Sequence, residues 1–368
     1  MACQELKSMA RTLFHPCMFS LKANLLSSMG SSAYNEHVQA TLSDLIEKGL
    51  VRDVENIGQM MQIGETQLPL VDKDGGYRQT ATHLTYIRKR LVDEEIGWLI
   101  FVVDSHQKAS FDKYVEAAKA AKWLPADDGK PIPKMSFLGL VADPSSVVIS
   151  SLISGVMISF EEVLLQRGYQ KGLELGTLAE QLALGGIKYA VLKNIGRGKS
   201  NNCKINKDVL LSSNGNNAFR LQLFYSAICR FIESAAIYIQ AVNRSKVVQL
   251  LPQEASDLAV HLQSFPAVVK QVCMELSPAI LCDFLLKVAV LYEEFSSVSH
   301  VDIFRDFDNL AFAYEHTYLS WPNCVPFNYA RSSVAEGFES RLIYTEATRV
   351  VMAQCFHFLG ITPLKYLR

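Results

Sequence analysis

The hydrophobic pattern changes character partway along the chain. In the first part helical and strand-like spacings alternate. In "VQATLSDLIEKGL" the positions Val38, Leu42, Leu45 and Ile46 share one stripe and Gly49 follows as a stop, so residues 21–50 are predicted to be helical. Residues 51–72 alternate loosely and contain one short strand, "TQLPLVD". A Gly75-Gly76 turn then leads into a helix from about Thr80 to Val92. Trp98–Val103 is apolar at every position, as expected of a strand covered on both faces of a parallel sheet. Asp104, Ser105, His106 and Gln107 come just past its carboxyl end, where open α/β sheets hold their ligands. "FDKYVEAAKAAKWL", Phe111–Leu124, supplies the covering helix. Two or three strands are visible over 21–145, where a doubly wound sheet normally has five or more.

From about residue 150 the pattern is almost wholly helical. Ser277 stands as an N-cap with Pro278 at the first helical position. Leu281, Phe284, Leu285, Val288, Leu291, Tyr292 and Phe295 then keep an i, i+3/i+4 stripe. A last helix is predicted from Thr345, its N-cap, to Gly360, with Pro363 just beyond. Between them Ser299–Ser340, rich in aromatics, Asn and Pro, forms a long insertion. Segments 205–298 and 341–368 are predicted to build one bundle across it, because each apolar stripe needs the other to be buried. The fold class is therefore mixed: a partial Rossmann-like α/β region followed by an all-α bundle. The expected organisation is a tail over 1–20, the α/β region over 21–145, a stem or linker over 146–204, and the bundle over 205–368.

Composition narrows the function classes. Hydrophobic residues make up 49% of the 368 and charged residues 20%, which describes a globular chain. The formal charge of −1 carries no global signature of a DNA- or membrane-binding protein, so an anionic partner must be held by a local patch. The longest apolar run, Val147–Phe160, is too short and too rich in serine to span a bilayer. The N-terminal stretch lacks the apolar core of a secretory signal. Eight scattered cysteines without a C-x-x-C pair fit reduced thiols in a cytoplasmic setting and no metal site; an organelle-import reading stays open beside that one.

One segment departs from neutrality. Lys188 to Lys207 contains Lys188, Lys193, Arg197, Lys199, Lys204 and Lys207 and no acidic residue, while Gly196 and Gly198 permit close backbone approach. It is either a phosphate-contacting loop between two domains or a solvated linker.

The order of "KDGGY…HLTYIRKRL", "GWLIFVVDSHQ", "AAKAAKWLP", "GIKYAVLKN", "GNNAFRLQLFYSAICRFIE" and "EATRVVMAQCFHFLGITPL" resembles the C-terminal two-thirds of the arginyl-tRNA synthetases. The resemblance implies the end of a class I catalytic domain followed by a helical anticodon-binding domain of the DALR type. It further implies ATP as cofactor, arginine and tRNA as substrates, and ligation of the two. Class I enzymes of this kind carry a His-x-Gly-His motif and a Lys-rich loop. No His-x-Gly-His occurs here, and on the resemblance the chain begins downstream of its place. "KMSF" at Lys134–Phe137 imitates the Lys loop, but the family alignment makes "MSFLGLV" the buried strand before it. The loop then falls at Ser146–Leu152, where Val147, Val148, Ile149 and Ser150 stand in place of cations.

By the same resemblance Tyr77, Gln79, His83 and Gln107 are the remnants of the arginine pocket. His83 and Gln79 stand where the family has a carboxylate and an aromatic hydroxyl, while Gln107 matches a family Gln. An imidazole cannot replace a carboxylate facing a permanently charged guanidinium. In the second domain Gly215, Asn216, Ala218, Leu221, Tyr225, Ile228 and Cys229 follow the family pattern. Arg220, Leu223 and Ala227 replace the usual Tyr, Tyr and Arg. Tyr225 and the six basic residues are the candidate tRNA contacts, Tyr225 being alternatively plain core. The resemblance leaves no residue of this chain in a catalytic role. The expectation is a catalytically impaired homologue or a non-catalytic module binding tRNA or a synthetase partner, such as a full-length enzyme or a missing N-terminal half.

Overall fold

The computed structural model describes residues 34–125, 133–140, 149–195, 205–234, 253–298 and 335–367. The chain divides into two compact units, residues 22–142 and residues 143–368 with 1–21. Among the described residues no helix is long and apolar enough to cross a membrane.

The first unit opens with α1 (Asn35–Glu47) and an antiparallel meander of β1 (Val51–Val54), β2 (Gly58–Ile63) and β3 (Thr66–Asp72). Gly58 has φ +116°, and a Cβ there would lie 2.2 Å from the Val71 carbonyl oxygen, so only glycine admits this close approach beside the irregularity at Gln59/Met60. After β3 the chain turns at Asp72–Gly76. The Asp72 N–H donates to Gly76 O, and Arg78 is ion-paired with Asp72 at 2.6 Å. Helix α2 (Gln79–Arg88) follows and ends in a π turn, Lys89–Asp93. Strand β4 (Trp98–Asp104) then gives way to a 3₁₀ turn, Ser105–Gln107, and α3 (Lys108–Ala120). Strand β5 (Lys134–Leu140) pairs with β4 in parallel, Trp98 opposite Lys134 and Asp104 opposite Leu140.

The core of this unit gathers Val38, Leu42 and Leu45 of α1, Met61, Leu68 and Leu70 of the meander, Leu84 and Ile87 of α2, Leu99 of β4, and Ala117 and Trp123 at α3 and just beyond it. The structure corrects three expectations. The meander adds two strands that the loose alternation over 51–63 concealed. Ile46 is half exposed rather than part of the buried stripe. Strand β4 is not covered on both faces, for Leu99 is 6% exposed whereas Val102 is 54% exposed.

The second unit is helical. Helices α4 (Ile149–Gln166) and α5 (Leu173–Leu192) pair through Val156, Phe160, Leu164, Ala179, Leu182 and Ala183. The short α6 (Lys207–Leu211) is capped by Asn206, whose side chain accepts the Asp208 N–H. Helix α7 (Ala218–Ser234), α8 (Gln253–Gln263), α9 (Phe265–Glu275), α10 (Pro278–Val298) and α11 (Ala335–Phe358) make the bundle. Leu221, Tyr225 and Ile228 of α7 meet Leu285, Val288 and Tyr292 of α10 and Met352, Cys355 and Phe356 of α11 in one core. Thus α10 and α11 share an interior although residues 299–334, outside the described set, separate them.

Helix α11 starts ten residues before Thr345, so 335–340 belong to it and not to an insertion. Thr345 is 1% exposed inside the helix and bonded to the Tyr292 hydroxyl at 3.1 Å. Ser277 does precede α10, but its hydroxyl donates to the Ile195 carbonyl at 3.2 Å. Gly360, at φ +65°, ends α11 as a left-handed cap, with the Ile361 N–H reaching Phe356 O.

Candidate functional site

The carboxyl end of β4 is shaped by a local hydrogen bond. The Asp104 carboxylate accepts the His106 N–H at 2.8 Å, which fixes the Ser105–Gln107 turn and starts α3. Gln107 stands exposed in that turn. Helix α2 lies against α3, and the contact is made by His83, whose Nδ1 is 2.9 Å from the Tyr114 hydroxyl with the two rings edge to face. Burial pushes the His83 imidazole below its ordinary value and pushes the Tyr114 phenol up, so both are neutral near pH 7. Thr80 also bonds Tyr114, and the three side chains form one neutral polar string. Gln79, at the first position of α2, is exposed. Tyr77 is exposed as well and reaches Gln39 of α1 at 3.4 Å. The structure therefore joins His83 to Tyr114, a partner the sequence did not single out. A purely pairwise signal of this kind, 31 residues apart, has no trace in local spacing.

Lys134 is at the opposite end of the sheet. It is the first residue of β5, opposite Trp98, while the Ser105–Gln107 turn follows Asp104 opposite Leu140. Six strand steps of roughly 3.3 Å place it about 20 Å from that end. Its ammonium lies over the Trp98 ring, 3.7 Å from the centroid. Lys108, at the start of α3, is ion-paired with Asp112. Lys108 and Lys134 thus lie at opposite ends of the β4–β5 pair and do not converge on one point, as two cations gripping one triphosphate must. Ser146–Val148 lie outside the described residues.

In the second unit the candidate RNA contacts divide. Tyr225 is 2% exposed, packed edge to face on Phe356 with centroids 5.8 Å apart. Burial pushes its hydroxyl up to about 12, and it is bonded to Cys229 and Arg349. Arg349 is held bidentate by Glu346 at 2.6 and 2.7 Å. This corrects the stacking role for Tyr225: the ring fills the core and offers no face to a base. Leu223 and Ala227 are buried too, and Arg220 is ion-paired across to Glu293 of α10 at 3.1 Å.

Of the basic segment, Lys188 on α5 donates to Gly360 O at 2.7 Å and Lys193 at the end of α5 donates to Asn216 O at 3.0 Å. Lys207 opens α6, its ammonium close to Gly155 of α4. Arg197, Lys199 and Lys204 lie outside the described residues. Among the described residues no group of three His, Cys, Asp or Glu is placed to hold a metal ion.

Residues 4–148 match the family model of class I tRNA synthetases (R), catalytic domain, and residues 221–367 match that of the DALR anticodon binding domain. The chain is 29% identical over 355 residues to the chloroplastic/mitochondrial arginine–tRNA ligase of Arabidopsis thaliana, covering 92% of this chain and 50% of that protein. To the cytoplasmic arginine–tRNA ligase of the same plant it is 29% identical over 356 residues, covering 92% and 54%. The fold is similar to the crystal structure of arginyl-tRNA synthetase from Plasmodium falciparum, with TM-score 0.79 and 20% identity over 99% of this chain and 58% of that one. The Thermus thermophilus arginyl-tRNA synthetase gives TM-score 0.69 at 15% identity over 96% and 62%. The chain spans about half the length of the curated relatives it matches.

Proposed function

Since this chain is a homologue of the arginyl-tRNA synthetases, with their class I catalytic-domain family over 4–148 and their DALR family over 221–367, we propose that it binds tRNA and does not by itself activate arginine. The observation that carries the second half is His83. At the position where the resemblance expects a carboxylate for the substrate guanidinium stands a half-buried neutral imidazole, already bonded to Tyr114. A neutral ring leaves an arginine side chain without a counter-charge. The class uses ATP, and on the resemblance Val147 and Val148 stand where the family places cations.

Binding of tRNA rests on the acid-free segment from Lys188 to Lys207. Lys193 donates to a neutral backbone carbonyl and not to a carboxylate there, a contact that does not cancel its attraction for phosphate. Gln107 stays exposed at the carboxyl end of β4, which favours a second reading: arginine–tRNA ligation once a full-length synthetase or an N-terminal half supplies the missing groups.

Filter binding of total tRNA across low to moderate salt tests the first reading. Replacing Lys193, Arg197 and Lys199 by Ala together should flatten the log–log salt slope by about two to three units. An unchanged slope returns the segment to a neutral linker. Arginine-dependent exchange of pyrophosphate into ATP by this chain alone, above a blank, sinks the claim of inactivity.

A further inference from the structure

The chain beyond Gly360 belongs to no helix or strand, yet about half of its backbone polar groups over 361–367 are hydrogen-bonded, most of them to side chains. Residues 361–367 run along the inner face of α7, and the side chains they meet read main-chain atoms. Lys188 donates to Gly360 O at 2.7 Å. The Gln222 amide donates to Thr362 O at 2.7 Å and accepts the Leu364 N–H at 2.9 Å, so both of its ends are used. The Ser226 hydroxyl lies 2.9 Å from the carbonyls of Lys365 and Leu367 and accepts the Leu367 N–H at 2.7 Å. Tyr169 of the α4–α5 connection donates to Tyr366 O at 3.3 Å, and the Tyr366 hydroxyl donates to Glu233 at 2.9 Å.

Gln222 and Ser226 sit one helical turn apart and are 1% and 0% exposed. Buried amides and hydroxyls are tolerated only when satisfied. Here the satisfying groups come from a segment about 140 residues away. Three apolar anchors complete the fit. Ile361, Leu364 and Leu367 are 3%, 7% and 0% exposed, and the side chains between them do not share this burial, Tyr366 being 65% exposed. Ile361 enters the core of α7, α10 and α11, whereas Leu364 and Leu367 enter that of α4 and α5. Pro363 fixes an extended φ and has no N–H to leave unpaired.

We infer that α7, with Tyr169, Lys188 and Glu233, forms a peptide-recognition groove, and that residues 361–367 occupy it as an extended ligand bound in cis. The ligand class is an extended peptide with the order apolar-x-Pro-apolar-x-x-apolar, read through its backbone at the positions named above. Lys188 is the residue that the groove shares with the segment proposed to bind tRNA. Its occupant is this chain's own C-terminal segment, which clasps the α4–α5 pair to the bundle.

The test keeps the full chain and inserts a protease recognition sequence between Gly360 and Ile361. After cleavage the peptide ITPLKYLR should stay bound and exchange with a fluorescent copy of itself, raising anisotropy; before cleavage the same probe should not bind. A peptide with serine at the positions of Ile361, Leu364 and Leu367 should compete at least tenfold less well. In the nicked chain Ser226→Ala should weaken probe binding about tenfold or more. Should that variant fold poorly, amide exchange in the uncut Gln222→Met chain takes its place, with Leu364 and Leu367 exchanging at least tenfold faster while α8 to α10 keep the parent rates. Nicked protein that loses its helical circular dichroism and recovers it when peptide is added supports the groove. Loss without recovery overturns it, as does equal probe binding before and after cleavage, no binding to a folded nicked chain, or indifference to both substitutions.

Discussion

Replacing Tyr225 by alanine separates a core residue from an RNA contact. The ring is 2% exposed, rests on Phe356, and places its hydroxyl against Cys229 and Arg349. Truncating a fully buried aromatic costs about 3–5 kcal/mol through lost transfer energy and the cavity left behind. Arg349 would also lose a partner, but it keeps Glu346 and is 27% exposed, so that adds only a fraction of about 1 kcal/mol. A helical unit of this size should then melt roughly 8–15 °C lower. Tyr225→Phe keeps the ring and removes only the hydroxyl, for about 1 kcal/mol. Urea denaturation followed by circular dichroism at helical wavelengths measures both. If Tyr225→Ala stays within about 1 kcal/mol of the parent while tRNA binding falls, the ring faces solvent and bases, and its assignment to the core is wrong.

Two further outcomes follow from the first unit. Gly58→Ala should destabilise by about 2–3 kcal/mol, because the new Cβ would meet backbone at 2.2 Å in a left-handed conformation; a urea midpoint equal to the parent's contradicts the close approach of β2 and β3. His83 has a depressed value in the folded state, so between that value and the ordinary 6.5 the unfolded chain binds more protons. Its contribution is complete above 6.5 and is lost as the pH falls below it. The urea midpoint at pH 5.5 should therefore drop less, relative to pH 7.5, in His83→Gln than in the parent, and identical drops would show that the imidazole is not desolvated.

Much of the architecture could be read from the pattern because helices with one apolar stripe announce themselves. The stripe from Leu281 to Phe295 is buried as expected. The strand Thr66–Asp72 and the helix after Gly75-Gly76 were equally legible. Strands β1 and β2 were not, since "VRDV" and "GQMMQI" place polar residues on a meander whose second face is only partly covered. The start of α11 was missed for a related reason: Thr345 is a good capping residue, but here its hydroxyl satisfies Tyr292 across a helix interface that no local rule encodes. The resemblance singled out His83 and Gln107 as candidates, while the partner Tyr114 and the contacts of Gln222 and Ser226 depend on long-range packing. Tyr225 followed a family pattern that is equally a packing pattern, and only burial distinguishes the two.

The clasp between α7 and residues 361–367 also sets an order of events during synthesis. Gln222 and Ser226 are translated about 140 residues before the backbone groups that satisfy them. At about 5–20 residues per second that is an interval of roughly 7–28 s. For most of it the residues Leu221, Leu223 and Ile228 of α7 have neither α11 nor the clasp to cover them. The interior of the helical unit is thus completed only once residues 361–367 have been made, and until then Gln222 and Ser226 lack the backbone groups that satisfy them in the folded chain.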